Sequence, residues 1–204
     1  MSQIALPLKV GASGPSRIVL GNANTAAVEA LATPQAWPFR TAVLAGPPRS
    51  GKSLLARWFA ESGGGEAIDD ADRMDETELF HRWNRAQEAA LPLLLVTGLH
   101  EGGWTIALAD LASRIKAALQ LEIGVPDDAM MAELIVLHGE ARALPLGPDA
   151  GTYLAARSER SHLAAEQVVE AIDRLSLERK APPGPAIWRE ALEQLLGPDE
   201  PRLI

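Results

Sequence analysis

The chain has 204 residues, 47% hydrophobic and 23% charged, with a formal net charge of −8. This size and balance predict one ordinary globular domain, or a domain with a small appendage. With no cysteine, disulfides and thiolate metal sites are excluded, which fits a reducing cytosol. The acidic balance and the lack of a basic run argue against unaided DNA binding. The longest apolar run, residues 91–96, is too short to span a bilayer, and no signal-peptide pattern is present, so we expect a cytoplasmic protein without membrane contact.

Residues 1–16 read as a tail, because glycine and proline interrupt them and no periodic pattern is present. After a short apolar run at residues 18–20, apolar runs alternate with helical patterns as far as residue 125. The predicted strands lie near residues 41–45, 67–68, 92–97 and 121–123. The predicted helices lie near residues 25–31, 52–61, 75–89 and 111–119.

Beyond residue 125 the pattern predicts helices alone, near residues 127–138, 149–158, 162–176 and 186–196. Strands that alternate with helices and then give way to helices predict an α/β base followed by a small all-α lid. We therefore expect a tail over residues 1–16, an α/β base over residues 17–125 and a helical lid over residues 126–204.

Residues 46–53 read GPPRSGKS and match the phosphate-binding pattern G-x-x-x-x-G-K-[ST] in full. A predicted strand precedes them and a predicted helix follows, which disfavours the alternative of a glycine- and proline-rich turn with an exposed lysine. In this pattern Lys52 reaches the β- and γ-phosphates, and Ser53 ligates Mg²⁺. The sequence therefore predicts a site for ADP or ATP with Mg²⁺, built by Gly46, Pro47, Arg49, Ser50, Gly51, Lys52, Ser53 and Leu54.

An acidic pair, Asp69 and Asp70, follows the second predicted strand. A carboxylate at the end of a strand beside a phosphate-binding loop holds Mg²⁺ through water, and we assign this Walker B role to Asp69. Asp70 stands where many P-loop proteins carry the base that polarises the attacking water. The alternative is an acidic turn or helix cap, since Asp72 adds a third acid before a helix.

The strand before Asp69 is short, and the interval after the phosphate-binding loop leaves no room for an extra strand and helix. Many P-loop proteins of the AAA+ class have the sheet order 5-1-4-3-2, with strand 1 before the phosphate-binding loop and strand 3 before the acidic pair. We predict a three-layer parallel sheet of this kind that lacks strand 2, so that its edge is reduced. Loss of an edge strand leaves the central phosphate site intact.

Two arginines are candidates for contact with phosphate. Arg114 lies on the predicted helix before the last strand, from which a guanidinium can contact nucleotide bound by a neighbouring subunit. The alternative is a solvated surface arginine. Arg160 opens a lid helix, where it is a candidate for reading the γ-phosphate; on sequence logic alone, local pairing at an exposed helix start is favoured.

Residues 3–8 read QIALPL, a composition that suits a short peptide filling a hydrophobic groove. Leu6 and Leu8 would anchor it, Pro7 would limit its conformational entropy, and Gln3 would form a hydrogen bond at the rim. The alternative is an ordinary disordered or edge-strand terminus.

Together these segments resemble the Hda family, AAA+ homologues of the replication initiator DnaA that lack its DNA-binding domain. The tail is similar to that family's clamp-binding motif, and residues 18–24, with Val19 and Asn24, resemble the DnaA segment that contacts adenine. Residues 69–72 are similar to the family's Walker B block. The block around Arg114 resembles the one that carries the arginine finger.

The resemblance implies a negative regulator of bacterial DNA replication initiation. Bound through its tail to the sliding clamp (the β subunit of DNA polymerase III) on DNA, such a protein promotes hydrolysis of the ATP held by DnaA. Arg114 would then act in trans, and homo-oligomers are possible.

Two departures from the resemblance bear on catalysis. Thr97-Gly98-Leu99 stands where DnaA relatives have Thr-Ser-Asp, and a gap-free match puts Leu163 rather than Arg160 at the second sensor. These departures predict that the chain itself hydrolyses ATP only weakly. We expect the resident nucleotide to be ADP and to set the conformation of the protein. Two alternatives stay open: a stand-alone P-loop ATPase of the helicase-loader type, and a nucleotide-binding interaction module with a vestigial site.

Overall fold

The computed structural model describes the backbone of Leu6–Pro7 and residues 17–98 and 104–197. Gln3, Leu8 and Leu99, all named above, lie outside the described residues, and of Leu6 and Pro7 only the backbone is described. The chain divides into two compact units. We call Ala23–Gly124 the sheet unit, and Met1–Asn22 with Val125–Ile204 the helical unit.

Regular structure follows the predicted alternation closely. In chain order the elements are β1 (Leu6–Pro7), β2 (Arg17–Ile18), α1 (Thr25–Leu31), β3 (Thr41–Ala45), α2 (Lys52–Glu61), β4 (Glu66–Ile68), α3 (Glu76–Glu88), β5 (Leu93–Thr97), α4 (Ala109–Ala117), β6 (Leu119–Glu122), α5 (Asp128–Ala141), α6 (Pro148–Ala155), α7 (His162–Arg179) and α8 (Pro185–Leu196). No helix among the residues that the structure describes is both long and apolar enough to cross a membrane.

The sheet unit is built on a four-stranded sheet of order β4-β5-β3-β6. All three pairings are parallel: β3 lies between β5 and β6, and β5 also pairs with β4. This is the expected order with strand 2 absent, since β3 precedes the phosphate-binding loop and β4, before the acidic pair, forms an edge. The predicted α/β fold with a parallel sheet and a reduced edge is confirmed.

Both faces of the sheet are buried, as a parallel sheet requires. On one face, residues of α3 and α4, such as Leu79 and Leu111, form a cluster with Leu93 and Leu95 of β5. On the other, α2 contacts β4 and β5. Phe59 of α2 is fully buried, which contributes roughly 1.5–3 kcal/mol relative to an exposed side chain.

The boundary between α4 and β6 differs from the prediction. The sequence places Leu119 at the end of a helix, but α4 ends at Ala117 because Ala118 is extended, with φ −70° and ψ 160°. Leu119 then opens β6 opposite Ala42 of β3. Placing Leu119 in the helix was wrong, because pairing with the central strand outweighs the local helical pattern.

The helical unit holds α5 to α8 around one apolar cluster that includes Ile135, Leu154 and Ile172. Gly151 lets α6 approach α5 closely, since a Cβ there would lie 2.6 Å from the carbonyl oxygen of Ala132. The four lid helices predicted from the sequence are present, with small shifts at their ends.

Residues 17–22, which the sequence analysis assigned to the base, make contacts within the helical unit. Arg17 forms an ion pair with Glu140 at 2.9 Å. Asn22 donates its amide to the carbonyl of Val125 at 3.1 Å and accepts the backbone N–H of Asp127 at 2.9 Å. The backbone of Leu6–Pro7 pairs antiparallel with Arg17–Ile18.

Candidate nucleotide site

β3 leads directly into the phosphate-binding loop (residues 46–53), which continues into α2. Gly46 is buried, and a Cβ there would lie 3.0 Å from both the Cβ of Ile123 and the Oγ of Ser50. Gly51 precedes α2 with φ +86°, a conformation that glycine adopts without steric cost. These two glycines shape the turn from the strand into the helix.

Lys52 folds back across this loop. Its Nζ donates to the carbonyl oxygens of Gly46 and Pro47, each at 2.8 Å. Burial lowers the pKa of the Lys52 ammonium, and the negative charges of Asp69, Asp70 and Asp72 oppose that shift. The loop therefore holds a partly desolvated cation beside an acidic segment, with only backbone carbonyls as hydrogen-bond partners among the described residues.

Ser50 supplies a second group without a full set of partners. Its side chain is 6% exposed, and its buried Oγ forms no hydrogen bond with any residue that the structure describes. A buried hydroxyl left in this state costs about 1–3 kcal/mol. A ligand rich in acceptor oxygens would satisfy both Ser50 and Lys52, so the donor set fits a phosphate group.

The other predicted loop residues lie at the surface of this site. Arg49 is exposed and has φ +63°. In the first turn of α2, Ser53 is exposed and Leu54 is half-buried. The structure shows no cluster of three metal-ligating side chains among the described residues. The hydroxyl of Ser53 and the carboxylate of Asp69 are ligands that Mg²⁺ accepts, but they need phosphate oxygens and water to complete a coordination shell.

The acidic pair follows β4 directly and is exposed. The backbone N–H of Asp70 donates to the carboxylate of Asp69 at 3.1 Å, and Asp70 itself is left-handed with φ +48°. Asp72 accepts the backbone N–H of Gly98 at 3.2 Å, which ties the end of β4 to the end of β5. This role of Asp72 was not predicted from the sequence, although the carboxyl ends of parallel strands lie at one edge of a sheet.

The first-sensor position is occupied by Thr97 at the end of β5. It is 3% exposed, and its hydroxyl donates to the carbonyl of Gly98 at 2.9 Å. Its polar group is thus turned to its own backbone, and Gly98 brings no side chain to the site.

Arg114 lies against α3 of its own unit. Its Nη1 donates to the Oδ1 of Asn84 at 2.5 Å. The guanidinium carbon lies 4.4 Å from the ring centre of Phe80 and 4.2 Å from that of Trp83. This contact was not predicted from the sequence, although residues 80, 83 and 84 share one helix face by their spacing.

The remaining predicted contacts with nucleotide are divided between the units. Asn24 is buried in the sheet unit at the start of α1. Val19 belongs to the helical unit, where it lines an apolar cavity of about 450 Å³ against α5 and α6. Arg160 pairs with Asp128 through two hydrogen bonds of 2.8 and 3.0 Å. Asp128 lies 32 residues away at the start of α5, so this ion pair joins two elements and differs from the local pairing at the helix start that the sequence favours. Because both side chains are exposed, the pair contributes at most about 1 kcal/mol.

No family model and no curated protein matches the chain, but solved structures share its fold. Domain III of the Thermotoga maritima replication initiation protein DnaA superposes with a TM-score of 0.71 at 14% identity, over 89% of this chain and 95% of that one. The Thermotoga maritima RuvB Holliday junction branch migration motor gives 0.63 at 17% identity, over 90% and 72%. The replication initiator DnaA bound to AMPPCP and single-stranded DNA gives 0.61 at 17% identity, over 80% and 66%.

At these identities the likeness concerns the fold. In this chain that fold consists of the parallel order β4-β5-β3-β6, the loop at the end of the central strand and the helices that follow. The chain has the AAA+ P-loop fold that is also found in domain III of DnaA and in RuvB.

Proposed function

We propose that this protein binds an adenine nucleotide at residues 46–53 and regulates replication initiation negatively, by promoting hydrolysis of the ATP held by DnaA. The nucleotide site rests on one observation: among the described residues, Lys52 donates hydrogen bonds only to two backbone carbonyls of its own loop, and the buried Oγ of Ser50 forms no hydrogen bond. The choice of DnaA as partner rests on the Hda-like motifs, together with a fold shared with domain III of DnaA.

The site favours binding over turnover. The hydroxyl of Thr97 donates to the neighbouring backbone carbonyl of Gly98, which has no side chain of its own. Asp70 is exposed and has a left-handed backbone conformation. Few groups are therefore available to orient an attacking water, and Asp70 supports at most slow hydrolysis. The resident nucleotide, which we expect to be ADP, sets conformation, with Mg²⁺ on Ser53 and, through water, Asp69.

Chemistry on the partner needs positive charge at its transferring phosphoryl group. Arg114 is the candidate to supply that charge in trans, since a guanidinium stabilises the charge on phosphate oxygens during transfer. The DnaA molecule provides the nucleotide and its metal, and this chain provides the guanidinium.

The tail is the proposed clamp peptide, with Gln3, Leu6, Pro7 and Leu8 filling an apolar groove of the sliding clamp. The extended backbone of Leu6–Pro7 is compatible with this role, because one recurring mode of peptide recognition binds the peptide in extended form. Clamp binding would place the protein on DNA without a basic surface of its own.

The test is binding of the full chain to the sliding clamp, followed by hydrolysis of ATP by DnaA on clamp-loaded DNA. Gln3→Ala/Leu6→Ala should abolish both, whereas the control Gln35→Ala/Leu91→Ala, at two exposed positions, should change neither. Absence of clamp binding and of any effect on DnaA would overturn the proposal. Rapid ATP turnover by the chain alone would favour the stand-alone ATPase, and full regulation by Lys52→Ala would favour the vestigial-site module.

A further inference from the structure

Three neighbouring residues of α3 enclose the guanidinium of Arg114. The guanidinium carbon lies 4.4 Å from the ring centre of Phe80 and 4.2 Å from that of Trp83. The Nη1 of Arg114 donates a hydrogen bond to the Oδ1 of Asn84 at 2.5 Å. We call Phe80, Trp83 and Asn84 the α3 cradle. Contacts with two rings and one amide fix both the plane of a guanidinium and the position of one end.

All three members of the α3 cradle are neutral. Several other arginines of the protein form ion pairs with carboxylates, among them Arg82 with Glu66 and Arg142 with Glu170, whereas Arg174 bonds the neutral Gln194. Within the described part of the chain, Arg114 contacts no carboxylate. The cradle therefore restricts the movement of this cation without cancelling its charge.

Most of the donors of Arg114 also form no hydrogen bond with the residues that the structure describes. A guanidinium carries five N–H donors, and the cradle engages one of them, through Asn84. Asn84 is half-buried and lines an open groove along α3, together with His81 and Arg85 and with the carboxylates of Asp75, Glu78 and Glu88. The Asn84 end of Arg114 thus lies near solvent rather than in the core.

We infer that the α3 cradle positions Arg114 for contact with the phosphate oxygens of a nucleotide held by another protein chain. Preorganised charge is effective in phosphoryl transfer because little reorientation is needed as charge develops. Phe80, Trp83 and Asn84 act through Arg114 and are positioning residues. This inference rests on the proposed function, in which the nucleotide in question is the ATP of DnaA.

The decisive variant is Asn84→Asp, which leaves a partner of the same shape beside Arg114 but neutralises its charge. Arginine fingers contribute about 10³–10⁵ to phosphoryl-transfer rates, so we expect the maximal rate of DnaA ATP hydrolysis to fall at least about tenfold. The concentration of this protein needed for half-maximal stimulation, its clamp binding and its ADP affinity should not change. Gln194→Glu, which makes the same change 2.7 Å from Arg174 in the helical unit, is the matched control and should match the unmodified protein.

Two further variants separate the cradle inference from a folding defect and from failure of the proposed function. Phe80→Leu keeps apolar bulk but removes one ring, and it should lower the maximal rate several-fold at an unchanged half-maximal concentration. If Arg114→Ala leaves DnaA hydrolysis unchanged, the proposed function fails. If Arg114→Ala abolishes hydrolysis while folded Asn84→Asp and Phe80→Leu proteins act at or above the original rate, the cradle inference is overturned and the function stands.

Discussion

The ammonium nitrogen of Lys52 lies 2.8 Å from the carbonyl oxygen of Gly46, within the same loop. With the second bond to Pro47, this contact holds the lysine over the loop. A carbonyl is a weaker partner for an ammonium group than a phosphate oxygen, because the latter bond is charge-assisted at both ends. A polyphosphate placed in the loop is therefore expected to take Lys52 from these carbonyls.

Removal of this ammonium should weaken nucleotide binding strongly. Charge-assisted hydrogen bonds contribute about 1.5–3 kcal/mol each, so Lys52→Ala should raise the Kd for ADP by about 10- to 100-fold. Lys116→Ala, which removes an exposed ammonium from α4, should leave Kd unchanged. Isothermal titration calorimetry compares the two, and equal affinities would show that ADP does not bind at this loop.

The affinity for ADP should also depend on pH through Lys52. Burial lowers its pKa from the ordinary value of 10.5, against the opposing charges of Asp69, Asp70 and Asp72. Since the neutral amine attracts phosphate weakly, affinity is full well below the lowered pKa and falls as pH rises through it, starting below 10.5. Lys52→Arg keeps its charge at these pH values. Binding titrations at increasing pH should show the alkaline loss only with lysine, and parallel profiles for both proteins would contradict this assignment.

Ser50 predicts opposite effects with and without nucleotide. Ser50→Ala removes a buried hydroxyl that forms no hydrogen bond among the described residues, so it should stabilise the nucleotide-free protein by up to about 1–2 kcal/mol. It should also reduce the stabilisation that ADP provides. Ser176→Ala removes another buried hydroxyl without a hydrogen bond in the described part of the chain, in α7 of the helical unit. It should stabilise the nucleotide-free protein without reducing the stabilisation that ADP provides. Thermal unfolding with and without ADP separates the two, and identical behaviour would place Ser50 outside the site.

The phosphate-binding loop and its flanking elements were predictable because local chemistry determines them. The bounds of β3 and α2 agree with the prediction, since an apolar run, two required glycines and Lys52 allow little else. The missing edge strand could be predicted for a similar reason, because chain length between Ser53 and Asp69 limits what can be built there.

Contacts that depend on how helices pack could not be predicted in this way. From the sequence alone, Arg114 is expected to be a surface residue. In the fold α4 packs beside α3, and Arg114 contacts Trp83 and Asn84 there. Leu119 was misassigned for the same reason, because its partner Ala42 is far away in the sequence. Spacing on one element reveals which residues share a face, and only the fold reveals what that face contacts.

The edge strand β4 offers a last prediction, which concerns Gly63 and Gly65, two of the three glycines before it. A Cβ on Gly65 would lie 2.2 Å from the carbonyl oxygen of Pro92, the same oxygen that accepts the N–H of Glu66 at 2.9 Å. Gly65→Ala must therefore push β4 from β5 and displace the acidic pair that follows. Gly63 has φ +78° but open space around its missing Cβ, so Gly63→Ala introduces backbone strain alone.

We expect Gly63→Ala to cost about 1 kcal/mol and Gly65→Ala about 3 kcal/mol or more. For a chain of this size these costs correspond to decreases in Tm of roughly 2–4 °C and roughly 6–12 °C. Gly65→Ala should also weaken the effect of Mg²⁺ on ADP binding, since Asp69 moves with β4, whereas Gly63→Ala should not. Equal decreases in Tm, with the Mg²⁺ effect intact in both variants, would show that the close approach of Gly65 to Pro92 does not hold the acidic pair in place.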